Sequence, residues 1–180
     1  MKGIIENKKS FILENDFVKI EVSKKDAEVL SVIEKSTGKS IKKDEKCFFF
    51  EFFNDKKESL GTTGIEIDKN IVTVSCTLGS VQVKIDVFDS HFVLEMVSEK
   101  LPDGVFCFAF ARVLFDYDFS DGNALRAAGI AMTVNADPCF YPSGENREIR
   151  TRTYEHLGGS KGARFGFCVV PCPILRNTLK

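Results

Sequence analysis

The chain has 180 residues, 43% hydrophobic and 28% charged, enough for one well-packed core and marginal for two. Its formal net charge of −1 argues against a nucleic-acid partner, which would bring a basic excess, and gives no reason to expect binding to an anionic membrane. The opening MKGIIENKKS is too polar for the core of a signal peptide, and no apolar run approaches a spanning length, so a soluble chain is expected.

Taken in chain order, the dominant period is two. In 16–23, Val18, Ile20 and Val22 alternate with Lys19, Glu21 and Ser23, which predicts a half-buried strand. Lys24-Lys25-Asp26 reads as the turn into a second strand, where Val29, Val32 and Ile33 outweigh the helix formers Ala27, Glu28 and Leu30. CFFFEFF, at 47–53, is apolar on both faces and predicts a central strand covered on both sides. Alternation returns with Val72, Val74 and Cys76, and again with Val81, Val83 and Ile85; Asp68-Lys69-Asn70 and Leu78-Gly79-Ser80 mark the turns. Stretches 91–98 and 105–115 continue the series, and seventeen Phe against no Trp and three Tyr predict a core rich in Phe. Strands at this spacing predict an all-β, antiparallel β-sandwich with little helix.

From 116 to 162 the sequence becomes loop-rich, and long loops on a rigid sheet are where binding groups tend to sit. All seven Arg lie at 112 or later, while nearly all Lys lie before 101, which places polar recognition in the C-terminal half. Pro173 to Lys180 reads as an opening helix, with Ile174, Leu175 and Leu179 near one stripe; the expected division is a sandwich over 1–172 and a helical link over 173–180 towards a downstream domain. Cys47, Cys76 and Cys107 sit inside apolar strand patterns, so the six cysteines are expected to be reduced and structural, which leans towards the cytoplasm.

FILENDFVKIEVSKKDAEVLSVIEKSTGKSI, residues 11–41, resembles the first hairpin of galactose-mutarotase-like β-supersandwich domains. The residues that carry the resemblance are Asn15, Phe17, Val18 and Ile20, then Leu30-Ser31-Val32, then Lys35, Thr37, Gly38 and Lys39. The closing GARFGFCVVPCPILRNTLK also looks like the end of such a domain, where the last strand hands over to a catalytic domain. The resemblance implies a sandwich of the supersandwich type and a non-catalytic, N-terminal place in a glycoside hydrolase or polysaccharide lyase. Its partners would be the downstream catalytic domain of the same polypeptide and an oligosaccharide. Many proteins of this fold are exported, so export through a removed signal stays open beside the cytoplasmic reading.

Several polar patterns bear on chemistry. If 150–156 is extended, Arg150, Arg152, Tyr154 and His156 share one face, with Thr151, Thr153 and Glu155 on the other. Two guanidinium forks, a phenol and an imidazole suit an acidic sugar or an interdomain carboxylate; Tyr141 and Glu148 are outer members of this glycan-binding candidate. An epimerase would need a carboxylate and a His across one pocket, and His91 and His156 are the two histidines available. Glycoside hydrolysis would need paired carboxyl groups, for which Asp137, Glu145 and Glu148 are the nearest set, although loop acids more often form turns. Asp116, Asp118 and Asp121 only loosely follow calcium-loop spacing, Cys168 and Cys172 lack a second ligand pair for zinc, and Gly158 to Gly162 lacks the GxxxxGK(S/T) pattern and following helix of a phosphate loop. No cofactor or metal is expected. Besides the non-catalytic domain, two readings stay open: a small stand-alone sugar epimerase, and a protein-interaction sandwich with no glycan role. A concave face lined by Arg and Tyr would favour glycan, and a flat apolar patch would favour a protein partner.

Overall fold

The computed structural model describes residues 2–116, 125–133, 135–138, 148–154 and 161–171. The strands in the first part of the chain are β1 (Gly3–Glu6), β2 (Ser10–Glu14), β3 (Val18–Ser23), β4 (Val29–Glu34), β5 (Phe50–Phe53), β6 (Gly64–Asp68) and β7 (Ile71–Cys76). They are followed by β8 (Gly79–Val87), β9 (His91–Met96), β10 (Cys107–Leu114), β11 (Leu125–Ala131), β12 (Asp137–Pro138), β13 (Glu148–Tyr154) and β14 (Arg164–Pro171). They form sheets of order β1-β2-β3-β4, β12-β13-β10-β5 and β11-β14-β9-β8-β7-β6. The all-β, antiparallel sandwich expected from the period-two pattern is what forms, and no helix occurs among the described residues.

The inner faces of all three sheets contribute to one apolar core. The inward residues expected from alternation, Val18, Ile20, Val22, Val72, Val74, Val81 and Val83, are all fully buried. The core is built largely of Phe, as the composition requires: Phe108 lies 4.7 Å from Phe52, and 5.9 Å from both Phe50 and Phe110, centroid to centroid. The turn predicted at 68–70 forms in place, and the one predicted at 78–80 lies earlier, with Gly79 and Ser80 already in β8. Asp68 faces Ile71 across Lys69-Asn70, and Cys76 faces Gly79 across Thr77-Leu78.

The stretch 47–53 departs from the single central strand expected of it. Its first half bonds the edge of β4, Val29 N–H donating to Cys47 O (2.9 Å) and Phe49 N–H to Ala27 O (2.8 Å). Its second half is β5, the last strand of its own sheet, paired with β10. The cause is Phe49-Phe50, consecutive residues that are both fully buried with rings edge to face at 4.9 Å. A regular strand would send one of them out, so the chain bends between them. Segment 40–43 closes the same seam: Ile41 N–H bonds Val32 O (2.8 Å) and Asp116 N–H bonds Ile41 O (2.8 Å). The two four-stranded sheets therefore meet edge to edge.

The first hairpin shows what its signature residues do. The Asn15 side-chain oxygen accepts from Phe17 N–H (2.9 Å) and Val18 N–H (3.0 Å), closing the β2–β3 turn as an Asx turn does. Lys35 donates to Asn15 O (2.9 Å) and pairs with Glu14 (2.7 Å), so the end of β4 is tied to that turn. Gly38, at φ 70°, turns the chain while Thr37 bonds Glu34 (2.7 Å). These residues hold backbone together, whatever their ancestry.

Glu14 gives a pH prediction. Burial pushes its carboxyl up, but hydrogen bonds from Lys35 and Lys19 together outweigh it and hold the group below 4.5. A carboxylate lowered in the folded state stabilises above its unfolded value and loses that stabilisation as pH falls through the folded one. In Lys35→Met only Lys19 remains to oppose burial, so less of that lowering survives. The variant is expected to lose about 2 kcal/mol at pH 7, with the gap to wild type narrowing as pH drops below ~4. Urea midpoints at the two pH values check this; an equal gap at both would place the effect elsewhere.

Candidate polar face and trough

Strand β13 positions the polar candidates by simple alternation. Ile149, Thr151 and Thr153 are buried, so Glu148, Arg150, Arg152 and Tyr154 stand half-buried on the outer face. Thr151 anchors the neighbouring edge strand by donating to Asp137 O (3.0 Å). The common face expected for Arg150, Arg152 and Tyr154 is thus formed, with Glu148 on it. Tyr141 and His156 lie outside the described residues, as do Tyr117, Asp118, Asp121, Glu145, Cys139, Cys172 and the stretch 173–180.

A β-bulge brings a further arginine to this face. Phe110 faces Thr151 and Val113 faces Ile149, so Ala111 and Arg112 together oppose one residue of β13. Ala111 takes φ 61°, which shifts the parity of β10 and turns Arg112 outward. There the guanidinium donates to Glu148 through Nε (2.6 Å) and to Glu51 through Nη1 (3.2 Å). Burial pulls the Arg112 group down, and the two carboxylates raise it by more. Arg150 reaches the same Glu148 oxygen at 3.6 Å, and its buried Nε has no hydrogen-bond partner.

Beside this network lies a trough of about 110 Å³. Its floor is small by sequence: Cys107 occupies an outward position of β10, between Tyr154 on one side and Phe53 on the other. The walls are half-buried rings. Phe106 meets Tyr154 edge to face at 5.8 Å, and the Arg152 guanidinium sits 5.7 Å from the centre of Phe53. Burial raises the Tyr154 hydroxyl, with the neighbouring Arg152 opposing it. The trough is smaller than the 300–1,000 Å³ common for ligand pockets, so it fits part of a ligand.

The paired-carboxylate candidates separate: Glu148 is held by Arg112, and Asp137 is exposed on β12, opposite Arg152 in the strand register. His91 is far from this face in the fold order, on β9 of the six-stranded sheet, with its ring stacked on Phe88 at 4.5 Å. It borders an apolar strip on the outer side of β11, β14 and β9, where Ile130 and Met132 are 62% and 49% exposed. Among the described residues no group of His, Cys, Asp and Glu is arranged to hold a metal ion, and no helix is long and apolar enough to cross a membrane. Cys47, Cys76, Cys107 and Cys168 are buried free thiols; burial raises Cys47 and Cys168.

Sequence reasoning missed Glu51, Arg112, Phe53, Phe106 and Lys57. A usable signal was present for two of them. Glu51 is the one charge inside CFFFEFF and Arg112 the one charge inside an apolar run, and a charge in such a setting requires an opposite partner.

No protein-family model matches the chain, and no curated protein does. Among solved structures it is similar to the periplasmic domain of Thermotoga maritima YidC, at 14% identity and a TM-score of 0.43, over 98% of this chain and 97% of that one. So distant a likeness fixes neither the fold family nor a function here.

Proposed function

We propose that this chain is a non-catalytic β-sandwich domain of a larger carbohydrate-active enzyme, packing against another domain of the same polypeptide and contacting glycan along the edge of its polar face. The observation that carries the reading is the trough itself, concave and walled by Arg152, Tyr154, Phe53 and Phe106. Sugar rings pack their C–H faces on aromatic rings, while guanidinium groups bond hydroxyl and carboxylate oxygens. The neighbouring carboxylates support binding rather than hydrolysis, because Glu51 and Glu148 are both engaged by Arg112. The galactose-mutarotase-like resemblance of residues 11–41 supplies the enzyme context.

A protein-interaction sandwich is the second reading, favoured by the exposed Ile130 and Met132 of the six-stranded sheet. A glycan-binding screen of the purified chain, with Arg152→Ala beside it, separates the two. Glycan binding by the wild type that the variant loses is the expected result. Absence of binding to every glycan would remove the glycan role and leave the protein-interaction reading.

A further inference from the structure

We infer that the trough between β13, β10 and the β5–β6 connection is a subsite for a carboxylate carried on a sugar ring, read by Lys57 and Arg152 together. The inference deepens the glycan reading above and rests on it. Arg152 and Lys57 both line the trough, and no carboxylate side chain lines it among the described residues. Its volume, about 110 Å³, admits one substituent and the edge of a ring. Phe106 and Tyr154 offer that edge an apolar wall, and Arg152 is steadied over Phe53.

Lys57 is held in place by a turn built around Asn54. The Asn54 side chain accepts from Glu58 N–H (2.9 Å) and donates to the Glu58 carboxylate (2.8 Å), while Lys57 N–H bonds Asn54 O (3.0 Å). The Glu58 carboxylate is thereby engaged within the turn. Asp137, on the far side of β13, is the acid paired in register with Arg152. Lys57 itself adopts φ 63°, the left-handed region that a side chain disfavours and glycine tolerates. Lys57, exposed at the rim, and Arg152, half-buried on β13, thus bring two cations to one largely apolar slot.

The left-handed backbone also supplies a clean test. Lys57→Gly removes the cation without disturbing the turn, so its thermal midpoint is expected to equal or exceed that of the wild type. Binding is measured by calorimetry with an oligomer of a uronic acid and with the matching neutral oligosaccharide. The wild type is expected to prefer the uronic acid oligomer by about a hundredfold, and Lys57→Gly and Arg152→Gln to weaken it by about tenfold each. Equal binding of acidic and neutral oligomers, or full retention of acidic binding by Lys57→Gly, would overturn the carboxylate subsite while leaving the glycan reading intact. Binding of neither oligomer would overturn both.

Discussion

Phe108→Ala is expected to lower the unfolding free energy by about 3–5 kcal/mol, the largest loss of any single side chain considered. Phe108 is fully buried and central to the ring cluster of the β10–β5 sheet, against Phe50, Phe52 and Phe110. Removing it takes apolar area out of the core and leaves a cavity among rigid rings that collapse poorly. A domain stable by about 5–15 kcal/mol would lose a large share of that margin. Phe108→Leu keeps most of the volume and should lose about 1–1.5 kcal/mol. Urea unfolding of both variants decides the matter. Similar losses for Ala and Leu would mean that ring contacts, rather than filled volume, dominate this core.

The second large effect is electrostatic. Arg112→Met should destabilise by about 3 kcal/mol, the low end for a broken buried pair, because the guanidinium is 23% exposed and screened in part. The loss arises mainly from what stays behind: Glu51, 10% exposed, would lose the guanidinium beside it, and Glu148, 14% exposed, would keep only Arg150 at 3.6 Å. Adding Glu51→Gln and Glu148→Gln to Arg112→Met should therefore recover more than half of the stability. Double- and triple-variant unfolding measures this coupling directly. Strict additivity of the substitutions would show that Arg112 acts through packing and not through its charge.

Most of the fold was legible because alternation is a local property. Val18-x-Ile-x-Val and Val81-x-Val-x-Ile point inward with period two, and nothing elsewhere in the chain competes with that. The stretch 47–53 was only partly legible, because a run of Phe carries no alternation and its bend depends on β4 and β10, distant in sequence. The face of β13 was legible for the same reason as the strands, through Thr151 and Thr153 pointing inward. Its partners were not. Arg112 reaches that face only because Ala111 adopts a left-handed conformation and shifts the register of β10, and Ala is not a residue that announces such a turn. Lys57 was hidden in the same way, its left-handed φ fixed by Asn54 and Glu58 rather than by a glycine.

The measurement that tests the central claim most directly is an amide-resolved NMR titration of the chain with a uronic acid oligosaccharide. Shifts concentrated at Phe53–Lys57, Phe106–Cys107 and Arg152–Tyr154 are the predicted result, since these segments wall and floor the trough. Shifts centred instead on Val93, Ile130 and Gly166, or none at saturating oligosaccharide, would contradict it.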